Sequence, residues 1–323
     1  MVSTGDITAA VDILRGGGLV AFPTETVYGL GADAANPDAV GRVFTAKGRP
    51  RGHPVIVHLA EPAAAKEWAA EVPDFAAALA EAFWPGPLTL VLPRSDLVSD
   101  AVTGGLPTVG LRVPAQSLAL ELIGAFGGGV AAPSANRFGR VSPTRADHVR
   151  ADLGGAVDLI LDGGPCPVGV ESTIVDCSGA HPRLLRPGGV PEESLEAVLG
   201  YKLDVILDGS VRAPGMLSSH YAPSARVEVL PAEAIATRAQ ELVALGIRVG
   251  ILAPGRMMGL PRGVEALPPT GSAVAYAQCL YQRLREADRR GLEVLLAVPP
   301  PETGVGTAVA DRLRRAAGTG STG

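Results

Sequence analysis

Four groups of residues in this sequence are of types that handle negatively charged ligands. Lys47, Arg49 and Arg51 crowd the run Lys47-Gly48-Arg49-Pro50-Arg51. Lysine neutralises a phosphate as a point charge and arginine grips it with a two-pronged fork; the same run also fits a solvated charge cluster. Arg112 stands alone inside the apolar stretch 109–113. Burying an unpaired guanidinium is costly, so it must meet a carboxylate, either a ligand's or the protein's own. Pro133-Ser134-Ala135-Asn136, with Ser142-Pro143-Thr144 close behind, sets hydroxyls and backbone amides after an apolar run. That arrangement suits a phosphate cradle or an ordinary Asx or Ser turn. Gly169-Val170-Glu171-Ser172-Thr173, followed by Arg186, is the fourth group. The five histidines show no order that supports a Ser-His-Asp triad. The sequence has no GxxxxGK[ST] loop, and its first domain no GxGxxG. A nucleotide bound here is held in some other manner.

These groups need strand ends and loops to carry them. Leu19-Val20-Ala21-Phe22 and Val55-Ile56-Val57-His58-Leu59 read as buried strands. Between them, Pro23-Thr24-Glu25-Thr26 and Tyr28-Gly29-Leu30-Gly31 read as loop and turn. Further strands are predicted at 88–92, 109–114, 130–136, 159–164, 172–176 and 183–188. Helices are predicted at 8–15, 36–45, 63–70, 75–83, 117–125 and 192–199, the second opening at Asn36-Pro37, where proline suits a first turn. This order predicts a twisted mixed α/β sheet with polar loops gathered at one edge. From Ala225 onward, strands at 226–230, 248–252 and 294–298 alternate with helices at 232–245, 273–289 and 306–317. That alternation predicts a smaller, parallel, Rossmann-like domain. The expected division is a first domain over 1–201, a linker over 202–224, a second domain over 225–318 and a disordered tail over 319–323.

Composition excludes several classes. A length of 323 residues suffices for two domains with sizeable cores. The net charge of −5 argues against a protein whose main task is coating nucleic acid. Three cysteines without paired spacing fit a reducing compartment and no zinc module. The start MVSTGDITAAVDILRGG is not built like a signal peptide, and no run of about 18 apolar residues predicts a membrane span. A cytoplasmic protein is expected.

The chain resembles the YrdC family in its two-domain form, the threonylcarbamoyl-AMP synthases, over residues 5–318. The resemblance rests on an ordered set of motifs: Pro23-Thr24-Glu25-Thr26-Val27-Tyr28-Gly29-Leu30-Gly31, Lys47-Gly48-Arg49-Pro50, Pro54-Val55-Ile56-Val57-His58, Trp84-Pro85-Gly86-Pro87-Leu88-Thr89, Pro133-Ser134-Ala135-Asn136, Ser172-Thr173-Ile174-Val175-Asp176, Leu185-Arg186-Pro187-Gly188 and His220-Tyr221-Ala222-Pro223. It implies condensation of L-threonine, bicarbonate and ATP to threonylcarbamoyl-AMP, with magnesium accompanying the ATP and no metal ligands in the protein. A partner complex then transfers the group to tRNA. By position, Thr26, His58, Arg112, Ala132 and Ser172 would hold threonine, Arg112 taking its carboxylate. Arg49, His53, Thr108, Ser134, Ser142, Arg186 and Tyr221 would hold ATP, with Tyr221 reaching over the nucleotide from a linker that acts as a lid. Lys47 and Arg49 would neutralise charge during reaction. Two departures stand out: His53 replaces the family's usual asparagine, and Leu217-Ser218-Ser219 replaces a stretch that usually contains lysine and tyrosine. Two other readings are a carbamoyl transferase built on the same domain, which needs a large extra domain or zinc modules, and a translation-associated RNA-binding module without catalysis.

Overall fold

A computed structural model describes residues 4–206 and 221–318. The chain divides into two compact units, Met1–Phe138 with Ser142–Met216, and Gly139–Val141 with Leu217–Gly323.

In chain order the first unit contains α1 (Thr4–Arg15), β1 (Val20–Phe22), β2 (Gly29–Asp33), α2 (Pro37–Lys47), β3 (Ile56–His58), α3 (Ala65–Trp68), α4 (Asp74–Phe83), β4 (Leu88–Pro93), α5 (Asp100–Thr103), β5 (Thr108–Arg112), α6 (Ser117–Phe126), β6 (Val130–Ala131), α7 (Ala146–Leu153), β7 (Leu159–Ile160), β8 (Thr173–Asp176), β9 (Arg183–Arg186), α8 (Glu192–Leu199) and β10 (Asp204–Val205). The strands form one ten-stranded mixed sheet in the order β10-β9-β8-β4-β5-β3-β6-β2-β1-β7. Helix α1 buries Ile7, Val11 and Leu14 with Leu122 and Ile123 of α6 over Phe22. Another core packs Val40, Phe44, Trp68 and Leu79 against Leu90 and Leu111. Each such side chain removed from water contributes about 1.5–3 kcal/mol.

The sequence reading treats 28–31 as a turn, but Gly29–Asp33 is an interior strand, antiparallel to both β1 and β6. Its glycines hide the strand from a propensity reading. They are there for space: a Cβ on Gly31 would lie 2.7 Å from the Phe22 ring and 2.8 Å from Val130.

Helix α2 positions the first basic residue. Asn36 caps it, its side chain accepting from the backbone N–H groups of Asp38 and Ala39. Gly48 ends it in the left-handed conformation (φ 62°). Ala39, Val40, Val43, Phe44 and Lys47 share the buried face, spaced as one helical stripe requires.

The second unit contains β11 (Arg226–Val229), α9 (Ala232–Ala244), β12 (Val249–Leu252), β13 (Glu265–Ala266), α10 (Ala273–Arg289), β14 (Val294–Ala297) and α11 (Val305–Ala316). Its four strands are all parallel, in the order β11-β14-β12-β13, as the alternation predicts. Ile235, Ala239 and Leu242 of α9 pack on Val249, Ile251, Val294 and Leu296. Gly139–Val141 belongs to this unit: Ala222 N donates to Gly139 O at 3.0 Å, and Arg140 donates to Ser224 Oγ at 2.7 Å. No helix among the described residues is long and apolar enough to cross a membrane. The altered stretch Leu217-Ser218-Ser219 lies outside the described residues.

Candidate active site

Strands β3 and β5 run parallel with His58 opposite Arg112, and β6 lies antiparallel on the other side of β3 with Val130 opposite His58. These strand ends, the exit of β6 at Ala132 and the loop after β1 bring Thr26, His58, Arg112 and Ala132 into one neighbourhood. Ala132 N donates to Ile56 O at 2.9 Å, and Phe22 meets the His58 ring edge-on with centroids 6.0 Å apart.

Arg112 is buried, and it has found a protein carboxylate. Its Nη2 lies 2.6 Å from Glu25 Oε1, with the two side chains only 4% and 7% exposed. Glu25 Oε2 accepts from Ala115 N at 3.0 Å, and Arg112 Nε donates to Gly86 O at 3.3 Å. Thr24 and Thr26 hydroxyls are 2.8 Å apart in the same loop.

His58 is buried, and its Nδ1 makes no hydrogen bond among the described residues. Burial first, and the Arg112 charge second, push its pKa down to about 3, against a smaller opposing pull from the Val130 and Ile56 carbonyls. The imidazole is therefore neutral at working pH, with one donor and one acceptor nitrogen. Its stability effect has a definite sign. An unfolded imidazole takes up its proton near pH 6.5 and the folded one does not until about pH 3. Stability contributed by the neutral ring is complete above pH 6.5 and falls as pH drops through that window, by about 2 kcal/mol on reaching pH 5. Urea melts at pH 7.5 and pH 5 are expected to show this loss in the parent chain and a much flatter dependence in His58→Gln. Equal slopes in both would refute it.

A second cluster is built on Lys47, which is buried rather than part of a solvated run. Its Nζ donates to the Ser134 and Asn136 carbonyls, so it fastens the turn that carries Ser134. Burial, and then the Arg49 charge, lower its pKa well below the ordinary lysine value. Arg49 donates to Pro54 O at 3.0 Å and lies 6.0 Å from the Phe138 ring centroid, with His53 packing edge-on to the same ring. Arg51 does not join them. It is exposed and lines a groove with Asp38, Arg42 and Thr45. Thr108 opens β5, four residues before Arg112, hence about 13 Å away along the strand.

The third cluster centres on Ser172. Its Oγ lies 2.8 Å from Thr89 Oγ1, while Arg186 Nη2 donates to Ser172 O at 2.8 Å and to its Oγ at 3.1 Å. Ser142 donates to Glu171 Oε1 at 2.7 Å. Gly188 lets this backbone close up: a Cβ there would sit 2.3 Å from Thr173 N and 2.4 Å from the Ser172 carbonyl carbon. Gly188→Ala is expected to cost about 1–3 kcal/mol through forced backbone shifts and to weaken nucleotide binding, read by thermal melts with and without ATP. An unchanged melt would show that the turn yields freely.

Tyr221 sits within the C-terminal unit. Its ring stacks on Tyr281 with centroids 5.7 Å apart and the Arg312 guanidinium lies 5.1 Å from its centroid. It is 1% exposed and, unusually for a tyrosine, has φ 63°. The sequence reading quotes Glu25, Thr89 and Glu171 within its motifs but gives none of them a role of its own. Glu25 stands in the polar run Thr24-Glu25-Thr26 and gives no signal like that of Arg112 in its apolar strand; only the fold shows that the two charges belong together.

Residues 12–188 match the family model described as Telomere recombination, and residues 190–318 match the one described as Threonylcarbamoyl-AMP synthase, C-terminal domain. The chain belongs to the Sua5/YciO/YrdC family, in the two-domain form that carries this C-terminal domain. A curated Threonylcarbamoyl-AMP synthase from Pyrococcus abyssi is 44% identical over 324 residues, covering 97% of this chain and 94% of the relative. One of the same name from Bacillus subtilis is 43% identical, covering 98% and 95%. The crystal structure of P. abyssi Sua5 complexed with L-threonine aligns with a TM-score of 0.92 at 42% identity, over 99% of this chain and 96% of that one. Full-length HypF in its phosphate- and nucleotide-bound form shares the fold alone, at 17% identity and a TM-score of 0.51 over 57% of this chain and 29% of that one.

Proposed function

We propose that this chain is an L-threonylcarbamoyladenylate synthase, joining L-threonine, bicarbonate and ATP into threonylcarbamoyl-AMP with release of pyrophosphate and water. The observation that carries the reading is the buried Arg112, set in register beside the neutral His58 and ion-paired to Glu25 of the loop that carries Thr26. One buried guanidinium among apolar strand residues, with a few placed polar groups around it, suits a small amino acid. Relatives that match nearly the full chain carry the synthase name.

In this reading, Arg112 takes the threonine carboxylate, and His58, Thr26, Ala132 and Ser172 surround the rest. The threonine amine, having lost its proton, attacks the carbon of carbon dioxide drawn from bicarbonate and becomes a carbamate. A carbamate oxygen then attacks the α-phosphorus, and the bond to the bridging oxygen breaks as pyrophosphate departs. No protein nucleophile is needed. Arg49, His53, Thr108, Ser134, Ser142 and Arg186 orient the nucleotide. Lys47 holds the Ser134 turn and supplies positive charge, so the protein's part is positioning and charge neutralisation. Magnesium enters on the ATP phosphates as part of the substrate, and we assign it no protein ligand. The product then passes to a complex that modifies tRNA, which would place the protein in the cytoplasm.

The test is pyrophosphate release with mass detection of the adenylate. Turnover that needs both threonine and bicarbonate supports the synthase. Folded protein that binds RNA in a salt-sensitive way, without turnover, would favour the non-catalytic module.

A further inference from the structure

The Glu25–Arg112 pair does more than stabilise the loop after β1. Both Glu25 oxygens are committed inside the protein, one to Arg112 and one to Ala115 N. Arg112 commits Nε and one Nη2 proton, while Nη1 makes no hydrogen bond among the described residues. The guanidinium can therefore take a second carboxylate without giving up the first.

Charge then decides which carboxylate. Arg112 and Glu25 cancel and the adjacent His58 is neutral, so the Arg112 end of the site is balanced before a ligand arrives, while the other buried guanidinium, Arg186, is turned onto the Ser172 carbonyl and hydroxyl. A bare carboxylate would leave one uncompensated negative charge in buried surroundings, which is strongly unfavourable. An α-amino acid brings its own ammonium and leaves the balance intact. We propose that Glu25 is a specificity-determining residue that makes the Arg112 site accept a zwitterionic amino acid and turn away the same skeleton without its amine. The proposal rests on the reading that Arg112 takes the substrate carboxylate.

The experiment is calorimetric binding of L-threonine and of 3-hydroxybutyrate, threonine's skeleton without the ammonium, to the full chain. The parent protein is expected to prefer threonine by on the order of a hundredfold or more. In Glu25→Gln the unbalanced Arg112 favours the bare anion, so the preference is expected to shrink by about tenfold or more, mainly because 3-hydroxybutyrate binds tighter. Glu25→Asp keeps the charge and is expected to keep the preference, even if both ligands bind more weakly. A purely structural role for Glu25 would weaken both ligands in proportion, and that result overturns the proposal. If Glu25→Gln does not fold, a parent preference below about tenfold, or its loss in Glu25→Asp, overturns it equally. Threonine binding that survives Arg112→Ala unchanged would instead refute the assignment of Arg112, a separately recognisable failure.

Discussion

Arg112→Ala is expected to lose threonine-dependent pyrophosphate release by a factor on the order of 10³ and to destabilise the protein by about 3–5 kcal/mol. The two losses have different causes. Turnover falls because, among the described residues, no other buried cation stands in register beside His58 to take a carboxylate. Stability falls because Glu25, 7% exposed, keeps only the Ala115 amide and loses its counter-charge. A melting shift on the order of 10 °C is expected for a unit of this size. The double variant Glu25→Gln with Arg112→Met separates the effects. Removing both charges together should recover most of the stability, since replacing a whole buried pair is commonly near neutral. Turnover should stay lost. Recovery of both would mean that Arg112 is only a structural partner of Glu25.

Lys47→Met is expected to lower kcat/KM for ATP by about a hundredfold while changing stability by no more than about 2 kcal/mol. The variant loses Nζ donation to the Ser134 and Asn136 carbonyls, each worth roughly 1 kcal/mol. It also relieves the cost of burying an ammonium on an otherwise apolar helix face, and the two terms oppose each other. Lys47→Arg should not rescue turnover, because a planar fork does not replace a compact ammonium between two carbonyls. Pyrophosphate release at varied ATP, alongside urea melts of each variant, gives both readings. A large stability loss with proportionate loss of turnover would reduce Lys47 to a packing residue.

These residues also show where sequence reading succeeds and stops. The fold class was legible because periodicity marks each long helix and the central strands, and strand–helix alternation after Ala225 gave the parallel second sheet. Strand β2 was missed because Gly29 and Gly31 carry no strand propensity; the reason for Gly31 is the bulk of Phe22 across the hairpin and of Val130, and Gly29 lies closest to Ala132, both tertiary facts. The short strands β10 and β13 and the helices α5 and α7 were missed too, the strands being too brief for periodicity to register. Lys47 was grouped with its neighbours in sequence, yet counting by helical spacing from Val40 and Val43 places it on the buried face. Arg112 announced that it needed a carboxylate, but which one depended on a loop 87 positions away. No spacing rule reports such a long-range pairing.

The cysteines give the folded chain an internal clock. Cys166, in the loop that backs Glu25, and Cys177 are buried, and Cys279 on α10 is partly so. Burial drives the Cys166 thiol up to about 12, with the Glu25 charge adding to it, and raises the other two as well. None offers much thiolate to an alkylating or disulfide reagent at neutral pH. Labelling of the buried pair must then wait for the structure around each sulfur to open. Peptide mapping of the modified sulfurs over time reads opening around Cys166, beside the Glu25 loop, separately from opening around Cys177, in the unmutated protein and without an attached probe.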